Sequence, residues 1–375
     1  MSVGLLILGL VLFVLLVVVH EFGHFIVARR NGVEIEEFGI FFPPALWSRH
    51  TKNGWKFSIN LIPLGGFVKM KGERDSDTRP HTFGAASLWA KTKIMLAGVG
   101  MNVLAAFVLL TALAWLGMPQ LVNNQYTVKS DTKVAKSEVL VGYIQPNSPA
   151  QKVGLTTSDQ LLAIIPKYGQ RVAITTADLL PNTTKQFAGQ TAGVEFIHNK
   201  QVETKQITFL SKAAVAASQK TSNPKGYLGI SPTQYTLQRS TWSAPITAAG
   251  FLGQVTALTF KGLATAVVGL VQGNTTKATA QVAGPVGIFE LLKTGSLLGY
   301  QFVLMIVAII SLSLAIMNIL PIPALDGGRL FVTLISRLAG KKLSETAEAA
   351  IYGTGFALLI VLVILITIVD VRRYF

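Results

Sequence analysis

Apolar and polar positions divide the chain into long hydrophobic stretches separated by mixed regions. Val3–Val19 is unbroken, and its helical character runs on to about Ala28. A run of that length suits a membrane crossing. It has neither a basic leader nor a small-residue cleavage site, which predicts a retained span over 3–28 rather than a cleaved signal peptide. Further spans are predicted over 94–117, 300–320 and 355–369. The last is short at 15 residues and must borrow flanking residues to cross ~30 Å of hydrocarbon. The stretch 251–271 is long enough to cross, but it carries Gln254 and Lys261 among Gly, Ala and Thr and reads as an amphipathic, interfacial helix.

Between the first two spans, residues 33–70 alternate apolar and polar positions, with turn signals at Pro43-Pro44 and Asn53-Gly54 and a strand pattern at Phe57–Ile62. Residues 126–210 read as a β-rich domain, and the Ser-, Thr-, Ala- and Lys-rich stretch 211–245 as a linker back to the membrane. The fold expected is a polytopic α-helical membrane protein of about four transmembrane helices, with a strand-bearing segment between the first two spans and one extracytoplasmic β-rich domain. Residues 1–117 and 246–375 form the two halves of the membrane core.

Composition sharpens this picture. Of 375 residues, half are hydrophobic and only 14% charged, against about 25% charged in an average soluble domain. The mean hydropathy is +0.50. The net charge is +15, but the basic residues form no single stripe, so nucleic-acid binding is a poor reading; contact with anionic lipid fits better. Arg29, Arg30, Arg79, Lys91, Lys93, Arg329, Arg337, Lys341 and Lys342 flank spans in loops assigned to the cytoplasm, which puts the N-terminus outside. Lys129, Lys133, Lys136, Arg372 and Arg373 then lie outside, so the bias is modest. The absence of cysteine excludes disulfides, thiolate metal sites and a cysteine nucleophile.

The first span holds His20-Glu21-Phe22-Gly23-His24, an HExxH pattern. Positions i and i+4 share a helix face, so two imidazoles can bind one zinc ion, with Glu21 placed to take a proton from water. Three ionisable residues in a membrane helix are costly, and by default mark a functional site. A catalytic zinc normally takes three protein ligands. His50, His81 and His198 lie in polar surroundings and read as solvated surface residues. Asp326 is the better third ligand. It sits in Asn318–Gly328, where two prolines end a span and paired glycines permit close backbone approach. Alone, that Asp-Gly pair would read as a surface turn. Span parity decides: His24 lies about 7–8 Å before the cytoplasmic Arg29 at 1.5 Å per residue, and with 251–271 not crossing, Asp326 reaches the same side.

Taken together, HEFGH in the first span, the Asn318–Gly328 segment, Gly-Pro-Val-Gly at 284–287 and the stretch Phe57–Met70 resemble the bacterial site-2 proteases. These are intramembrane zinc metalloproteases of the type that cleaves anti-sigma factors. The resemblance covers nearly the whole chain and is weakest at about 210–245. It implies that His20, His24 and Asp326 are the zinc ligands and Glu21 the general base. It implies that Asn318 helps to hold the substrate strand and that Asn102 is a second substrate-binding residue; Asn102, in Gly98-Val-Gly-Met-Asn, falls in a second-span motif that usually reads Gly-Pro-x-x-Asn, with Val99 in place of the proline. An alternative for Asn102 is a helix-packing amide between small residues. Ser313 stands where some relatives carry a further asparagine.

The resemblance further implies a membrane-associated β-hairpin or sheet over 33–70, an element able to pair with an extended substrate by strand addition. Val141–Ile164 resembles part of a PDZ domain, with Ser158 where glycine usually precedes the aspartate; such a domain would act as a gate or size filter at the external face. The implied partners are transmembrane protein substrates, such as anti-sigma factors or signal-peptide remnants, the lipid bilayer, and an upstream protease acting on the same substrate. The implied location is the bacterial cytoplasmic membrane. Two other classes stay open on the residues alone: a non-catalytic PDZ scaffold with a structural metal, and a metal transporter. The intact Glu21 argues against the first, and the single HExxH cluster with no second relay argues against the other.

Overall fold

A computed structural model describes residues 2–74, 77–221, 223–279, 282–340 and 343–375. Lys341 and Lys342, counted above among the cytoplasmic charges, lie outside the described residues. The chain forms two compact units. One comprises Met1–Leu116, Tyr126–Val128 and Trp242–Phe375; the other comprises Gly117–Gln125 and Lys129–Thr241.

The first unit opens with α1 (Ser2–Arg30), which ends on Arg29 and Arg30, cations that suit the negative end of the helix dipole. Strands β1 (Ile35–His50) and β2 (Lys56–Met70) follow, then α2 (Leu88–Leu116). Both strands bend, β1 at Pro43-Pro44 and β2 at Gly65-Gly66, so that Phe38 has Val68 on one side and Phe57 on the other. The turn signal at Pro43-Pro44 therefore marks a bend within a strand, and Asn53-Gly54 lies in the connection between strands. Phe25 anchors the hairpin to α1, with ring centroids 4.9 Å from Trp55 and 5.5 Å from Phe38. Helices α1 and α2 approach closely because Gly23 has no side chain: a Cβ there would stand 2.6 Å from the Ala97 carbonyl oxygen.

The second unit is built from β3 (Met118–Pro119), β4 (Lys133–Ile144), α3 (Pro149–Lys152), β5 (Gln160–Pro166), β6 (Val172–Ala173), α4 (Leu179–Gln186), β7 (Thr191–His198), β8 (Gln201–Thr208), α5 (Lys212–Ser218) and β9 (Ile230–Arg239). The sheet runs β3-β9-β4-β5-β7-β8, with β6 on β5, around a core that includes Val141, Leu161, Ile164, Phe196 and Ile207. The reading of 211–245 as a linker needs correction. Its strand β9 pairs along β4 from Lys133–Arg239 to Ile144–Ile230, and Tyr235 and Leu237 are buried. Serine and threonine made the segment look like a loop, although threonine is itself a good strand residue.

Ser158 sits at φ 76°, which explains the usual glycine there. A non-glycine residue in that region costs about 1–2 kcal/mol, and glycine returns about 0.5–1 kcal/mol of that as unfolded-chain entropy. Ser158→Gly is therefore expected to stabilise the unit by about 0.5–1 kcal/mol, read as increased hydrogen-exchange protection of β4 and β5.

The chain then returns to the first unit through α6 (Ala244–Val271), α7 (Thr275–Thr279), α8 (Pro285–Leu298), α9 (Tyr300–Ile319), α10 (Asp326–Leu338) and α11 (Glu345–Tyr374). Among the described residues five helices are long and apolar enough to cross a membrane: α1, α2, α6, α9 and α11. Four cover the predicted spans, and α11 does extend the short 355–369 stretch at both ends. The fifth, α6, contains the 251–271 segment and is the least apolar of the set.

Helices α9 and α2 are central, with 56% and 44% of their most apolar window buried, against 17% or less for the other three. The outer three expose apolar side chains such as Val11, Val267 and Leu358, as a lipid-facing surface requires. The Gly-Pro-Val-Gly motif begins α8, with proline in its first turn as helix starts favour. The amides of Gly284 and Gly287 both donate to the fully buried Asp370 of α11, each at 2.8 Å.

Candidate metal centre

The centre is assembled from the two ends of the membrane unit. His20 and His24 stand one turn apart on α1, both buried. Asp326 is the first residue of α10. The chain reaches it by reversing sharply after α9: Ala324 takes φ 81°, and Gly327 folds so tightly against the preceding turn that a Cβ would meet the Leu320 carbonyl at 2.5 Å. The paired glycines thus let the loop close on its own backbone. Gly355 of α11 backs the same loop, with room for Pro323 but for no side chain of its own.

Three ligand atoms meet here. His20 Nε2 lies 3.0 Å from Asp326 Oδ2, His24 Nε2 lies 3.1 Å from the same oxygen, and the two nitrogens are 3.2 Å apart. This is the one group of three or more His, Cys, Asp or Glu side chains among the described residues that could hold a metal ion. The triangle fits zinc: ligands 2.0–2.1 Å from a tetrahedral ion stand about 3.3 Å from one another, close to what is seen. A purely hydrogen-bonded cluster fits less well, since protons on both Nε2 atoms would face each other across 3.2 Å. The tautomer of His24 is set as a ligand needs, because its Nδ1–H donates to the Ile94 carbonyl at 2.7 Å and frees Nε2. Burial opposes ionisation of Asp326, but the two imidazoles beside it outweigh that and hold the carboxyl well below the usual carboxylate range. Its side chain keeps 26% exposure and borders a cavity of about 460 Å³ that also touches Arg74, Ala324, Arg329, Glu348 and Tyr352.

Glu21 is half-buried and lies beside the bend of β2, where a Cβ on Gly66 would be 3.7 Å from its Cγ. The base candidate thus sits between the histidine pair and the hairpin. Asn102 of α2 is buried behind His20, its Nδ2 3.3 Å from His20 Nδ1. Asn318 lies half-buried in the last turn of α9 and makes no hydrogen bond to the cluster among the described residues. The other histidines stay apart: His50 ends β1, the exposed His81 contacts the Gly32 carbonyl, and His198 pairs with Asp159 at 2.8 Å in the β unit.

Two contributors escaped the sequence reading. Gly98 of α2 faces both imidazoles, and a Cβ there would stand 2.5 Å from His24 Nε2 and 2.6 Å from His20 Nε2. Its spacing of four from Asn102 was the available signal, since i and i+4 share a face. Gly98→Ala is accordingly expected to weaken zinc binding at least about tenfold by displacing ligands, measured by chelator competition. The second is Asp370, whose role as acceptor for the Gly-Pro-Val-Gly amides no spacing rule connects to residues 284–287.

Comparison with known proteins gives the family. The model of peptidase family M50 matches residues 8–362. A "putative zinc metalloprotease" of Clostridium acetobutylicum is 31% identical over 99% of this chain and 98% of its own length. The regulator of sigma-E protease RseP of Escherichia coli is 28% identical over 96% of each chain. With nearly the full length matched, the chain belongs to peptidase family M50, the site-2 protease family.

Proposed function

We propose that this protein is a zinc metalloprotease that cleaves membrane-protein substrates within the bacterial cytoplasmic membrane. The observation that carries the reading is the three-atom triangle of His20, His24 and Asp326, buried among apolar helices. These residues would hold the ion. When bound, zinc polarises the scissile carbonyl and acidifies water. Glu21 takes the proton of the attacking water and delivers it to the leaving amine. The bent hairpin beside Glu21 offers strand edges on which an unwound substrate segment can lie extended, a need created by the shielding of peptide bonds inside a helix. Asn318, near the end of α9, would steady that segment.

The topology that suits this chemistry has four crossings, α1, α2, α9 and α11, with α6 at the interface and the PDZ-like β unit extracytoplasmic. His24 and Asp326 touch, so both lie at one depth. If α6 crossed as well, the chain would have to cross back before α9. Helix α8 has 14 residues and covers about 21 Å at 1.5 Å per residue, short of ~30 Å of hydrocarbon. Single-pass proteins of the anti-sigma-factor kind and signal-peptide remnants are the substrate classes in view, after trimming by another protease.

Purified protein is expected to carry one zinc per chain by elemental analysis and to cleave a model transmembrane peptide, with cleavage abolished by a chelator and restored by added zinc. Protein that neither retains nor takes up zinc sinks the reading.

A further inference from the structure

Asn102 sits where a ligand's partner should be, and its hydrogen bonding is internally inconsistent as a simple packing amide. His20 offers Nε2 to the triangle. For that atom to carry a lone pair in a neutral imidazole, the ring proton must be on Nδ1, and an Nδ1–H buried in the protein needs an acceptor. The neighbour of Nδ1 is the Asn102 amide, with Nδ2 at 3.3 Å. Two donors then face one another. Meanwhile Asn102 Oδ1 is buried with no hydrogen-bond partner. A half-turn of the amide brings the partnerless oxygen onto the ring N–H. His24 is served in the same way by the Ile94 carbonyl, so each imidazole would have one oxygen behind it.

The position of Asn102 is itself fixed. Ser311 of α9 donates to its main-chain carbonyl at 2.8 Å, and Gly98, one turn earlier, lets α2 lie against the histidines. We propose that Asn102 is a positioning residue whose Oδ1 accepts the Nδ1 proton of His20 and so presents Nε2 to the metal, rather than a group that touches substrate. This rests on the zinc reading above and extends it to the second layer of the site. The residue is only 1% exposed, which puts it out of reach of a peptide.

The test compares wild type with Asn102→Leu, Asn102→Asp and Asn102→Ala, all as full-length protein in detergent, with metal affinity read by chelator competition and geometry by the absorption of the cobalt-substituted site. Leucine and alanine lack an acceptor and are expected to lose roughly 10–100-fold in zinc affinity, the usual cost of an outer-shell partner. Aspartate keeps the acceptor and lacks the amide donor; it is expected to stay within a few-fold of wild type and to keep its cobalt spectrum. Wild-type affinity in the leucine and alanine variants overturns the proposal, as does failure of aspartate in a variant whose thermal unfolding matches wild type. Failure of wild type itself to bind zinc or cobalt would instead strike the underlying zinc reading. If leucine does not fold, the smaller alanine variant carries the same comparison.

Discussion

Glu21→Gln is expected to reduce cleavage of a transmembrane peptide by roughly 10²–10⁴-fold, the usual contribution of a general base, while one zinc per chain is retained. Glutamine has nearly the same shape, so packing against the β2 bend at Gly66 is undisturbed. What it lacks is the capacity to accept a proton. Since Glu21 is not one of the three convergent ligand atoms, metal content and affinity should not move. The pair of readouts separates the function classes left open by the residues alone. A scaffold with a structural ion would be indifferent to the change, and a protease would lose turnover. Cleavage at the wild-type rate, with zinc bound, would remove Glu21 from its role.

The second large effect is expected at Asp326→Ala. Each imidazole faces the carboxylate oxygen at 3.0–3.1 Å, so alanine leaves two neutral ligands where a catalytic zinc requires three. Zinc affinity should fall by more than the roughly 10–100-fold that an outer-shell partner costs, and cleavage should drop to background. Asp326→Asn, with one neutral oxygen in place of the charge, should fall between. Retention of zinc at wild-type affinity in the alanine variant would show that the ion is held elsewhere. Because Asp326 starts α10 rather than sitting inside it, alanine should leave the helix itself intact, which circular dichroism would verify.

The candidate ligand set was legible in sequence for a physical reason. Ionisable groups are so costly in an apolar helix that His20, Glu21 and His24 stand out, and span parity brought Asp326 to their level. The apolar helices were legible through length and the strand at Phe57–Ile62 through periodicity, while the hairpin as a whole came from the resemblance. Gly98 showed only through its spacing of four from Asn102, because its contribution is the space it leaves for two imidazoles. Asp370 was hidden by distance along the chain: its partners are the Gly284 and Gly287 amides more than eighty residues earlier, at separations of 86 and 83. Strand β9 was hidden by composition, since polar residues between Ile230 and Leu237 masked a strand whose pairing with β4 is decided only once the sheet forms.

His24 and Asp326 are separated by 302 positions, and this spacing bears on how the protein is made. At 5–20 residues per second, a ribosome needs roughly 15–60 s to pass from one to the other. Throughout that interval the nascent chain carries Glu21 and both imidazoles but lacks the Asp326 carboxylate. With Asp326 as the proposed third ligand, proteolytic competence is withheld until that residue has been synthesised.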